Sequence, residues 1–148
     1  MKRHLYIFIL VLISFSCGKN EKKDDAWVFT WNHQSINQSA TKANAYISQI
    51  DLGKGPNQII ANDGSGAPYR VNIRLSSLSP STYFVSLSAN KFDYVDQAGF
   101  VLAGAEGTVT ISSHSNQKLA GNFTVRLINA ASDTTLISGV FSGISVTP

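Results

Sequence analysis

A single cysteine, Cys17, stands in 148 residues, which excludes an intrachain disulfide, so whatever folds here is held by its apolar core. Charged side chains make up only 14% of the chain, and no stretch gathers the lysines and arginines that meet nucleic-acid phosphates together. Residues 26–148 carry seven basic and six acidic side chains, so nucleic acid is not an expected partner despite a sequence pI near 9.1. No apolar run reaches the roughly 20 residues that a membrane-spanning helix needs. Histidines and carboxylates never recur at zinc-ligand spacing, and no Gly-x-Ser-x-Gly elbow is present. Neither a metal, a cofactor nor an enzymatic activity is expected.

What is present begins at the N-terminus. Lys2 and Arg3 precede an apolar run from Leu5 to Phe15, broken only by Ser14, and a polar stretch follows from Gly18 to Asp25. That order is the signature of a secretory signal peptide, here residues 1–16. Ser16-Cys17 resembles the end of the lipobox of bacterial lipoproteins, whose cysteine is acylated after cleavage just before it. Ser14 and Phe15 depart from that motif, which usually has leucine and then a small residue.

The resemblance implies that Cys17 is the lipidation site and that acyl chains such as palmitate tie the protein to the membrane. Each buried methylene stabilises such an anchor by about 0.8 kcal/mol, so two or three chains hold firmly. Gly18 stands where an inner-membrane retention signal would have Asp, which implies the outer membrane, on its periplasmic face or at the cell surface. Lys22-Lys23-Asp24-Asp25, within the charged tether 17–25, reads either as an export signal for surface lipoproteins or as a hydrated spacer.

From residue 26 onward the texture is that of one all-β domain, 26–148. Apolar residues alternate with polar ones in Trp27/Phe29/Trp31, Val71/Ile73/Leu75, Val109/Ile111 and Phe123/Val125/Leu127, as half-buried strands require. Glycine, asparagine and serine punctuate the runs. Asn32-His33-Gln34-Ser35 is expected to turn a first hairpin, 53–57 and 62–66 to be loops, and Asn129–Asp133 to be a loose loop between the last two long strands. Ser39–Ile50 admits a helix through Ala43, Ile47 and Ile50 or a strand through Tyr46, Ile50 and Leu52. A strand is expected there because its neighbours are all β. Gly121-Asn122-Phe123 and Gly139-Val140-Phe141 echo each other, which predicts adjacent antiparallel strands with matched core phenylalanines. Gly143 is expected to mark a bulge. About nine or ten short strands then close an antiparallel β-sandwich or a β-roll, and the sequence leaves that choice open.

Few residues stand out as chemistry. His33 and His114 lie in polar, turn-like stretches and read as loop histidines. Asp93 and Asp96 would pair as acids only if the fold set them at the separation glycoside hydrolysis demands, roughly 5–10 Å. The aromatics are the better lead. Trp27 and Trp31 are assigned to the core, whereas Phe84 lies opposite Tyr83, Val85 and Leu87 on its strand. Phe84 and Tyr94 are therefore the candidate ligand-binding residues. Arg70, Arg74 and Arg126 are expected to point outward.

The run Gly107-Thr-Val-Thr-Ile111, with Leu119–Phe123 and Ser138–Ile144, resembles the C-terminal half of a family of small, uncharacterised β-rich lipoproteins of Gram-negative envelopes. Its motifs concern packing, and they imply a fold and a location without an active site. The expectation is a non-enzymatic outer-membrane or cell-surface lipoprotein whose β-domain binds a glycan or an envelope protein. An accessory subunit of an envelope complex is the alternative, and a hydrolase with a spatially assembled site a more distant one.

Overall fold

The computed structural model describes residues 26–46, 57–63 and 69–147. The expected signal peptide, Cys17, the expected tether and most of the expected loops at 53–57 and 62–66 lie outside these residues, as does the stretch from Ile47 to Leu52. Ten strands run through the described residues: β1 (Val28–His33), β2 (Ile36–Ser39), β3 (Lys42–Tyr46), β4 (Asn57–Asn62), β5 (Arg70–Leu75), β6 (Ser81–Ser86), β7 (Lys91–Val95), β8 (Val101–Ser115), β9 (Lys118–Ile128) and β10 (Thr134–Thr147). Among the described residues there is no helix, and β3 resolves the ambiguous segment as strand as far as Tyr46.

Seven of the strands close on themselves in the order β10-β3-β4-β5-β7-β8-β9, and β9 returns to β10. Of the two architectures open to the sequence, the closed one forms. Closure relieves the barrel of unpaired edges. Every pairing is antiparallel except one: β3 lies parallel to the end of β10, with Val146 opposite Ala45. This seam departs from the expected antiparallel pairing: β1 occupies the same β10 edge at Ile137–Ser142, and the reversal from β1 to β2 sets the chain running with β10 before β3.

Three strands are long. β8, β9 and β10 have 15, 11 and 14 residues. Two of them change neighbours along their length. β8 pairs with β7 through Val101–Ala103 and with β6 through Glu106–Ile111, and its register to β9 slips between Gly104 and Glu106. β10 leaves β1 at Ser142 and meets β3 at Val146, with a slip between Phe141 and Ile144. Gly143 lies inside that slip at φ +66°, the bulge expected of it. A bulge bends and twists its strand, which lets one strand serve two walls of the barrel.

The core follows the alternation read from sequence. Phe29, Trp31, Val71, Ile73, Leu75, Val109, Ile111, Phe123, Val125 and Leu127 are all buried. Phe29 stacks on Phe141 at 5.6 Å between ring centres, and Phe92 lies 5.1 Å from Phe123. The echoed Gly-x-Phe motifs pair reciprocally, Phe141 opposite Gly121 and Phe123 opposite Gly139. A Cβ on Gly121 would stand 2.6 Å from Phe141 Cζ, so each ring fills the space over the glycine it faces.

Three local expectations are corrected. Trp27 is 36% exposed, because pairing to β10 begins only at Val28 and Trp27 sits across from the Gly143 bulge instead. Leu87 is exposed because β6 ends at Ser86, whose hydroxyl and amide tie back the turn at Ala89. His33 is no loop residue: it ends β1 and is buried. The turn after it is Gln34-Ser35, both at positive φ, the backbone twist that a two-residue hairpin favours. Outward arginines find carboxylates, Arg74 with Asp93 and Arg126 with Glu106.

Candidate functional site

Strand directions gather three connections and the start of a further strand at one end of the barrel. β1 ends there and β2 begins, β5 starts there, and the β7–β8 and β9–β10 loops close around the same opening. Between them lies a cleft of about 720 Å³. Its size falls within the usual range for small-molecule sites, and the mouths of β-barrels are common places for them.

The floor is aromatic and polar at once. Tyr94 reaches up from β7, its hydroxyl donating to Gln38 Oε1 on β2 at 3.2 Å. Tyr69 lies nearly parallel to it, with ring centres 6.5 Å apart, and donates to Gln97 Oε1 at 3.2 Å. The His33 ring packs 4.7 Å from Tyr94, and its Nε2 is 2.9 Å from Thr135 Oγ1 on β10. Ile36, Phe100 and Val101 form an apolar rim, and Phe100 is 70% exposed.

Burial governs the titrating groups. It pulls the His33 imidazole below its usual value, and the carboxylate of Asp96 opposes that shift, so the ring stays neutral at neutral pH. Burial also pushes the Tyr94 phenol up, so its hydroxyl remains a donor. The Trp31 indole N–H lacks a partner of hydrogen-bond geometry, although it lies near enough to Tyr94 to favour the phenolate in part.

Two loops of the same construction wall the opening. In Asp96–Phe100, Asp96 Oδ1 accepts from the amides of Ala98 and Phe100, and the Asp96 amide donates to the Phe100 carbonyl. In Asn129–Asp133, Asn129 Oδ1 accepts from Ala131 and Asp133, and its amide donates to the Asp133 carbonyl. The fourth residue of each, Gly99 or Ser132, has φ above +60° and donates back to the first. The last hairpin loop is therefore tightly bonded, contrary to the looseness expected of it.

Of the two aromatic candidates, Tyr94 belongs to this cleft and Phe84 does not. Phe84 is 74% exposed on the outer face of β6, in a row with Thr108, Thr124, Ser138 and Asn32 across five strands. Asp93 and Asp96 are not brought together, since Asp93 pairs with Arg74 and Asp96 caps its loop. Among the described residues no cluster of three histidines, cysteines or carboxylates could hold a metal. His114 is half-buried in β8, away from the opening.

His33, Tyr69, Gln38 and the twin loops were missed in the sequence. His33 did carry a signal, because it continues the Phe29/Trp31 alternation. The loops carried one too, as an Asx residue three positions before Gly99 or Ser132. Tyr69 carried none. The fold and the cleft define a small closed β-barrel with an open, aromatic-floored mouth. No family model and no curated protein matches the chain, and neither does any solved structure.

Proposed function

We propose that this protein is a lipid-anchored envelope protein, held through Cys17, that binds a short glycan in the mouth of its barrel without transforming it. The observation that carries the reading is the cleft itself. Aromatic faces at Tyr69, backed by the buried Tyr94, and at Phe100 suit the apolar faces of sugar rings, and Gln38, Gln97 and Thr135 supply hydroxyl-directed hydrogen bonds. The polar groups are largely engaged in holding one another, which favours a preformed binding surface over a reactive centre.

Chain direction supports the reading further. β1 enters the barrel at the end opposite the mouth and runs its six residues toward it, roughly 20 Å. We propose that the Cys17 anchor lies on the side of that far end, which would leave the cleft facing away from the membrane.

Titration of the purified protein with host, medium and envelope oligosaccharides, read by NMR, tests the proposal. Saturable shifts at Tyr69, Tyr94 and Phe100 are expected, with affinity falling roughly ten-fold in Phe100→Ala. Absence of saturable binding to every glycan pool sinks it. The anchor is tested separately by protease treatment of intact cells, with Cys17→Ser as control: release of the variant from the membrane fraction is expected.

Contact with another envelope protein is a second reading, favoured by the exposed Phe84 beside Leu87 on β6 and the turn after it. Cross-linking from position 84 in intact envelopes should then trap one defined partner.

A further inference from the structure

The twin loops at the mouth perform a comparison within one molecule. At the first position, Asp96 and Asn129 make the same pair of side-chain caps, so an amide oxygen serves as well as a carboxylate. At the fifth position stand Phe100 and Asp133, so the backbone turn closes without a carboxylate there, although Asp133 Oδ2 also accepts from Asn129 Nδ2 at 3.1 Å. Each loop thus carries one negative charge that the backbone geometry of its sister does without.

Both charges line the cleft, and no lysine or arginine is among the described residues that do. The described ion pairs, Arg74–Asp93 and Arg126–Glu106, employ other carboxylates. The same cleft is lined by Tyr69, which stacks over the buried Tyr94, and Phe100 stands at the rim. An aromatic face carries the negative part of the ring quadrupole and attracts a cation, as the carboxylates do. Charge and ring faces act in the same sense in a chain that is otherwise slightly basic.

We propose that the mouth selects a ligand bearing a protonated amine, specifically a sugar whose amino group is free and not acetylated. This rests on the glycan reading and names its ligand class. The ammonium sits between Asp96 and Asp133 over the aromatic floor, while the sugar ring lies along Phe100. An N-acetylated sugar loses the charge, and an acidic sugar is repelled.

The test is calorimetric titration of the purified protein with three short oligosaccharides of similar size: free-amine chito-oligosaccharide, its N-acetylated form, and a neutral gluco-oligosaccharide. The free-amine form is expected to bind at least about ten-fold more tightly than the other two at low salt, with the preference shrinking as salt rises. Asp96→Asn and Asp133→Asn should each reduce that preference about five-fold. Retained amide protection at Ala98 and Phe100 in Asp96→Asn reports an intact loop, and Asp133→Asn gives an independent reading if that loop opens. Equal binding of all three sugars overturns the amine selectivity and leaves the glycan reading standing. Binding of none overturns both. An amine preference untouched by either substitution overturns the assignment to these carboxylates.

Discussion

Replacing Gly139 by alanine should be among the most damaging single-methyl changes this barrel can suffer. The added Cβ would stand 2.8 Å from Phe123 Cε1 and would press on the Thr30 carbonyl of β1 as well. Carbon atoms in good contact are about 3.5–4.0 Å apart, so the ring must retreat by about 1 Å or the strands must part. Retreat is blocked, because Phe29 and Phe92 hold the Phe123 ring at centre distances of 5.9 and 5.1 Å.

Overpacking of this kind costs about 3 kcal/mol, a large share of the roughly 5–15 kcal/mol that stabilises a domain. Gly99→Ala is the control. Its φ of +85° strains any side chain, but no atom lies within 4 Å of the new methyl, so only the backbone cost of about 1 kcal/mol applies. Urea unfolding followed by tryptophan fluorescence measures both. Phe123→Leu should relieve part of the clash, so the double substitution Phe123→Leu/Gly139→Ala falls short of additivity by about 1 kcal/mol or more. Gly139→Ala costing no more than Gly99→Ala, or strict additivity with Phe123→Leu, would refute the reciprocal packing argument.

Two further outcomes follow from named contacts. Because burial lowers the His33 pKa, the unfolded chain binds this proton more readily than the folded one. Stability should therefore be full above about pH 6.5 and decline as pH falls through the folded value, and His33→Gln should flatten that part of a denaturation profile between pH 5 and 7. A slope that persists in His33→Gln would assign it to other groups. Asn129→Ala deprives the amides of Ala131 and Asp133 of their acceptor, at a cost of about 1–2 kcal/mol. Hydrogen exchange at those two amides should accelerate in Asn129→Ala and less so in Asn129→Asp, which keeps the acceptor, as Asp96 does, but loses the Nδ2 donation to Asp133.

Local pattern alone determined the all-β class and most of the core. Side chains alternate across a strand with period two, so Val71, Ile73 and Leu75, or Phe123, Val125 and Leu127, declare their face wherever the strand is placed. The reciprocal Gly-x-Phe motifs and the Gly143 bulge were legible for the same reason, as each is a property of one or two neighbouring strands. Trp27 and Leu87 escaped this logic because alternation holds only while a strand is paired, and where pairing stops is set by the neighbour.

Closure, the parallel seam of β3 on β10 and the handover of β8 between β6 and β7 belong to the tertiary structure, since each depends on which distant strand arrives at an edge. The mouth belongs there too. His33, Tyr94 and Thr135 lie on three strands, Tyr69 just before a fourth and Asp96 in a loop, and only the common direction of the strand ends makes them one site.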